Sequence, residues 1–308
     1  MKASIDIGSN SVLLVIGEFQ SGKFFENLDF SHVTGLGTGI DKTHEFAKES
    51  MEKTFEALTD YRERIKSFGI SPKEVIITAT EASRVASNSK EFFKRVQKEL
   101  GFNVQILNPK GEAYFASKGV DLGSSSAPPS NNILMDLGGA STEIIKFSNK
   151  PFSFESFLSL PTGSVRGTEW LQEGKFEEKI KDLMGNYKAK LKEFETEEII
   201  GVAGTMTTLT AMILELSKYS EKKVNESIFG FELYKDFVTK LGKMDSKKIR
   251  EIYPVVGERF ATIYGGAKVA LEIFRILKVK KIYISTFGLR HGLLTVNSID
   301  RKFLANGN

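Results

Sequence analysis

Short apolar runs alternate with longer stretches of helical spacing along the chain. Runs rich in Val, Ile and Phe predict strands at residues 3–7, 12–18, 74–79, 104–107, 132–136, 142–147, 154–160, 198–203 and 280–285. Between them, residues 45–68 place Met51, Phe55, Leu58, Tyr61, Ile65 and Phe68 on one helical stripe. Residues 89–100 do the same with Phe92, Phe93, Val96 and Leu100, and helices are also expected at 205–216 and 259–277. Strands that alternate with helices predict an α/β fold.

The Gly-, Ser- and Pro-rich stretch from 123 to 130 cannot build a core. It is read as a boundary between domains 1–126 and 127–308, with a long surface loop as the plainer alternative. The residues after the first strand of each half repeat. The first half reads Asp6-Ile7-Gly8-Ser9-Asn10-Ser11 and the second Asp136-Leu137-Gly138-Gly139-Ala140-Ser141. This register suggests an internal duplication. A tight turn would explain the glycines. It would not require an Asp entering and a hydroxyl leaving, twice.

Composition narrows the chemistry. With no Cys among 308 residues, thiol nucleophiles, disulfides, iron–sulfur clusters and Cys-ligated zinc are excluded, and three His give a zinc site little support. Lys and Arg total 43 against 39 Asp and Glu, a formal +4 that does not argue for nucleic acid. No apolar run approaches the ~20 residues of a membrane helix. Asp6 and Gly8 interrupt any secretory leader, so a cytoplasmic location without membrane attachment is expected.

Gly-rich turns with hydroxyls suit phosphate, because backbone N–H groups can converge on an anion there. The candidate phosphate ligands are Gly8, Ser9, Asn10 and Ser11 in the first turn. In the second they are Gly138, Gly139, Ala140, Ser141 and Thr142. A third turn, Gly201-Val202-Ala203-Gly204-Thr205, opens a helical segment and adds Gly204 and Thr205. Asp6 and Asp136 end their strands with carboxylates that would repel a polyphosphate unless a divalent cation intervened. Mg²⁺ fits these oxygen ligands, with Mn²⁺ as the alternative. The spacing of Glu143 from Asp136 lets both reach one ion across a hairpin, although Glu143 also reads as a solvated edge residue.

These turns resemble the phosphate motifs of the sugar kinase, Hsp70 and actin superfamily. With Ala79-Thr80-Glu81-Ala82-Ser83-Arg84, Gly111-Glu112-Ala113, Leu160-Pro161-Thr162-Gly163 and Phe287-Gly288-Leu289-Arg290, the chain more closely resembles the exopolyphosphatase / guanosine pentaphosphate phosphohydrolase family, in its short form. The resemblance implies two duplicated actin-like (ribonuclease H-like) α/β domains with an interdomain cleft, and a C-terminal helix about 289–305 that returns to the first domain. It implies Mg²⁺-dependent release of terminal orthophosphate from inorganic polyphosphate or guanosine pentaphosphate; separately, a surplus among the 24 Phe could form an exposed patch serving a homodimer. By motif position Glu112 would activate the water, where residue chemistry alone reads a first-turn Glu favouring a helix dipole. Arg84 and Arg290 match positions that would hold the polyanion; otherwise they read as surface charges. Arg166 is a weaker candidate, and Lys278, Lys280 and Lys281 read as a solvated face or an outer track for polyphosphate. Ala140, Tyr114 and His291 depart from the usual Gly, Arg and Glu. They keep a nonenzymatic alarmone or polyphosphate sensor in view, and the superfamily resemblance keeps an ATP-dependent kinase or actin-like protein as a third reading.

Overall fold

A computed structural model of the protein describes residues 1–20, 23–123, 132–149 and 151–305. The chain divides into two compact units, residues 1–123 with 287–308, and residues 124–286. The predicted boundary at 126/127 lies outside the described residues. No helix among the described residues is long and apolar enough to cross a membrane.

Unit 1 holds a sheet of β1 (Lys2–Ile7), β2 (Ser11–Gln20), β3 (Lys23–Val33), β4 (Ile76–Ala79) and β5 (Val104–Ile106), in the order β3-β2-β1-β4-β5. β1, β2 and β3 form an antiparallel meander, while β1, β4 and β5 are parallel. Ile5 and Ile7 of β1 are buried with Leu14 and Ile16 of β2, and helix Lys48–Ser67 adds Leu58, Tyr61 and Ile65 to the same core. The helix Ser89–Leu100 forms as the spacing of Phe92, Phe93, Val96 and Leu100 predicts, and Gly101 ends it in the left-handed region.

Unit 2 repeats the plan. Its strands are β6 (Asn132–Leu137), β7 (Thr142–Asn149), β8 (Phe152–Leu160), β9 (Glu198–Val202), β10 (Ile228–Gly230) and β11 (Lys281–Ile284). The sheet order is β10-β11-β9-β6-β7-β8. Read from β8 to β11 it is the unit 1 sheet again, a meander followed by two parallel strands, with β10 added antiparallel at the edge. Its core joins Leu137, Ile144, Met206, Leu209, Phe274 and Ile282.

β3 and β10 are not among the predicted strands. β10 has three residues. In β3, Glu26 and Asp29 interrupt the apolar pattern, and their partners, His291 and Arg290, lie at the far end of the sequence. The expected helix at 259–277 is two elements, a 3₁₀ segment Pro254–Ala261 and a helix Ile263–Leu277.

The helix Pro109–Gly123 carries Glu112. Pro109 stands at its first position, and the Asn108 side chain accepts from the Gly111 N–H at 2.8 Å. The end of the chain grips this helix within unit 1. A Cβ on Gly111 would collide with the Phe303 carbonyl, one on Gly119 with the Gly288 carbonyl, and one on Gly292 with the Phe115 carbonyl. Asn108 holds the same tail, its Nδ2 donating to the carbonyls of Lys302 and Leu304, both at 3.0 Å. Gly292→Ala is therefore expected to cost at least about 1–3 kcal/mol by overpacking, read as a lower urea midpoint at unchanged slope.

Candidate active site

The predicted residues lie at the carboxyl ends of parallel strands, where open α/β sheets present their ligand sites. In unit 1 these are β1, β4 and β5, followed by the first turn, by Thr80–Arg84 and by Asn108–Glu112. In unit 2, β6 and β9 lead into the second and third turns.

The two repeated turns share one construction. The Gly8 N–H donates to the Ser11 carbonyl at 2.9 Å, and the Gly138 N–H to the Ser141 carbonyl at 3.0 Å. The segment after the third strand of each unit then occupies the turn's carbonyls. Thr34 and Gly35 N–H reach Asn10 O, both at 3.0 Å, and Gly37 N–H reaches Ser9 O at 2.7 Å. In unit 2, Ser164 N–H reaches Gly138 O at 2.9 Å and Val165 N–H reaches Gly139 O at 2.8 Å. This approach explains Gly163, whose Cβ would lie 2.5 Å from Gly139 O. Acceptors are thereby removed from the turns, which favours an anion.

Individual side chains of the turns have partners within the fold. Thr142 is fully buried and its hydroxyl donates to Thr162 O at 2.7 Å, so this donor serves the architecture of the turn. Arg166 is buried and braces the turn, its Nη1 donating to Ala140 O at 2.6 Å. Ala140 is not among the left-handed non-glycine residues, so its Cβ brings no such strain. Ala203, at the third turn, does adopt φ 71°, a costly angle for a residue with a Cβ. Thr205 is buried at the start of the helix Ala203–Ile213, and the Arg259 guanidinium lies where a Cβ on Gly204 would sit. Sequence reasoning missed Arg259, which belongs to no motif string and comes to the turn only by tertiary folding.

Asp136 and Glu143 are direct partners across the β6–β7 hairpin, so both carboxylates share one face of the sheet. Ser159, next in the same row on β8, donates to Glu143 Oε1 at 2.8 Å. Asp6 lies in unit 1, opposite Leu13 on β2 and Thr78 on β4.

Glu112 is 5% exposed, with Arg84 as its ion-pair partner. The same guanidinium donates to Glu81 Oε2 at 2.5 Å and to Leu107 O at 2.6 Å. Burial opposes the charge on Arg84, but Glu112 and then Glu81 outweigh it and hold the guanidinium above its ordinary value. Arg84, expected on the polyanion, is ion-paired here with Glu112 and Glu81. Glu81 stood in the Thr80–Arg84 motif without an assigned role; its three-residue spacing from Arg84 in a helix was the available signal.

Arg290 also has a protein partner, Asp29 Oδ2 at 2.5 Å. His291 is 1% exposed, its Nδ1 accepts from the Gly288 N–H at 3.3 Å, and its Nε2 faces Glu26 at 3.0 Å. Burial first, and then Arg290, push its pKa well below the usual histidine value, while Asp29 opposes them. The Tyr114 ring stacks on Phe303 at 4.5 Å. Lys278, Lys280 and Lys281 pair with Glu195, Glu197 and Glu198, so this run is a solvated ladder of opposite charges rather than an open basic track.

Comparison with known proteins supplies a family. The model of the Ppx/GppA phosphatase family matches residues 29–299. An exopolyphosphatase 2 of Mycobacterium tuberculosis is 30% identical over 301 residues, covering 90% of each chain. A bifunctional 3-dehydroquinate synthase/phosphatase of Fusobacterium nucleatum is 29% identical over 293 residues, covering 89% of this chain; the match spans only 43% of that longer protein. The structure described as the Aquifex aeolicus PPX-GPPA enzyme has a TM-score of 0.76 at 30% identity, covering 95% of this chain and 97% of that one.

Two outcomes follow from the buried charges. Arg84→Ala removes the ion-pair partner of the buried Glu112 and should cost about 3–5 kcal/mol in urea unfolding, with a smaller loss for Arg84→Lys. The neutral His291 contributes stability that is complete above about pH 6.5 and lost as pH falls below it, at up to about 1.4 kcal/mol per pH unit. Unfolding measured between pH 7 and 5.5 should show this slope in the wild type and a shallower one in His291→Gln.

Proposed function

The chain belongs to the Ppx/GppA phosphatase family, and from that premise we propose that it releases terminal orthophosphate from inorganic polyphosphate, with guanosine pentaphosphate as the second candidate substrate. The observation that carries this reading is the buried Glu112 carboxylate, fixed by Arg84 at the carboxyl ends of β1, β4 and β5.

Phosphoryl transfer to water needs positioning and charge stabilisation more than covalent help. A carboxylate accepts hydrogen bonds only, so Glu112 can orient a water by taking one of its protons. The water oxygen bonds to the terminal phosphorus, the bridging P–O bond breaks, and a chain one phosphate shorter leaves. The Ser9 and Asn10 N–H groups, in the turn whose Ser9, Asn10 and Ser11 carbonyls are already occupied, receive phosphoryl oxygens.

Asp136 and Glu143 would hold Mg²⁺, or Mn²⁺ in its place. Their shared face and oxygen-only donor set fit a hard cation, which would neutralise phosphate charge. Polyphosphate is favoured over the nucleotide because the donors found are phosphate-directed. The paired lysines at 278–281 argue for recognition of the chain end rather than of an extended polyanion.

Phosphate release from long-chain polyphosphate and from guanosine pentaphosphate, measured side by side with Mg²⁺, tests this. Glu112→Gln should lower release about 10²–10⁴-fold, and EDTA should abolish it in the wild type. Release unchanged by the substitution would remove Glu112 from the reaction.

A further inference from the structure

Glu26, Asp29 and His291 bring their ligand atoms within 4.8 Å of one another, a cluster that could suggest a metal site. The hydrogen bonds point elsewhere. His291 Nδ1 accepts from the Gly288 N–H, so the ring proton is on Nε2, which donates to Glu26. Asp29 is taken by the Arg290 guanidinium at 2.5 Å. Neither arrangement leaves a cation its ligands.

Resting on the reading of Glu112 above, we propose that Glu26, Asp29, Arg290 and His291 are positioning residues for Glu112. They lock the short helix Leu289–Leu293, and its glycine face sets the helix that carries the carboxylate.

The chain of contacts is continuous within unit 1. His291 stands three residues after Gly288 and fills the place that Glu takes in a capping box, accepting from the backbone N–H at the helix start. Unlike Glu, imidazole has a second nitrogen, and here it ties the helix to β3. Arg290 makes a second tie to β3 through Asp29, and its carbonyl accepts from Ser4 Oγ of β1 at 2.6 Å. The Phe287 ring packs on the imidazole at 4.4 Å. Held this way, Gly288 and Gly292 meet Gly119 and the Phe115 carbonyl with no room for a Cβ. Phe115 lies one turn beyond Glu112 on the same helix. A shift of the short helix therefore passes by backbone contact to the carboxylate, where an error near 1 Å can cost about 10²-fold in rate.

A Glu at 291 would keep the cap but would set its carboxylate against Glu26. His291→Glu should therefore lower kcat about 10- to 100-fold and leave KM within about twofold. Adding Glu26→Gln removes the repulsion and should restore most of the rate. In a Glu112→Gln background, His291→Glu should cost no further rate, because the group it positions is gone.

A purely structural role would give losses that multiply in that cycle, or no change in kcat well below the melting temperature. Either result overturns the proposal while Glu112 keeps its role. If Glu112→Gln leaves release unchanged, the reading of Glu112 falls and takes the proposal with it. Should His291→Glu fail to fold, Asp29→Asn takes its place in the same cycle, since it leaves the His291 cap intact and weakens only the Arg290 anchor.

Discussion

The backbone of residues 288–303 touches the backbone of the helix Pro109–Gly123, and this contact sets where the helix and its Glu112 sit in unit 1. Three glycines, Gly111, Gly119 and Gly292, exist at the contact because a Cβ at any of them would overlap a carbonyl oxygen. Close-packed interiors accommodate added volume poorly. The contact therefore leaves the helix little room to shift, and Glu112 lies on it in an ion pair with Arg84. The tail is not an appendage, since it completes the unit that carries the candidate base.

The duplicated turns show how one backbone device came to sit in two contexts. Each closes with the same glycine N–H to serine carbonyl bond, and in each the residues after the third strand occupy the turn's carbonyls. The first turn is sealed by Thr34–Gly37. The second is sealed by the start of the helix Ser164–Gln172 and is braced from beneath by Arg166. The Asp136–Glu143 row belongs to the second turn alone. Opposite Asp6, β2 carries Leu13, so the repeat does not offer two equal sets of acidic ligands.

Charge pairing distinguishes structural from reactive groups. Arg84, Arg290 and the lysines of 278–281 all invite assignment to a polyanion, and all have carboxylate partners in the fold. Among them, Arg84 sits directly on Glu112 and also pairs with Glu81, so its charge holds two carboxylates of unit 1 in place. Arg259 took no part in the predicted site, yet it lies on the glycine of the third turn.

The sequence by itself determined the alternation of strands and helices, the repeated Asp-Gly-Ser turns, the family and the short motif that contains Glu112. These are local signals, since strand period, turn chemistry and motif strings each lie within a few residues of chain. β3, the ion pairs of Arg84 and Arg290, the tautomer of His291 and the role of the glycines were decided only by tertiary structure. Glu26 and His291 are neighbours across most of the chain, and nothing near either in sequence marks the other. Glycine needed for a turn and glycine needed for a neighbour's carbonyl look alike until the neighbour is in place. That is the physical reason the glycine-rich turns were legible and the seating of the helix that carries Glu112 was not.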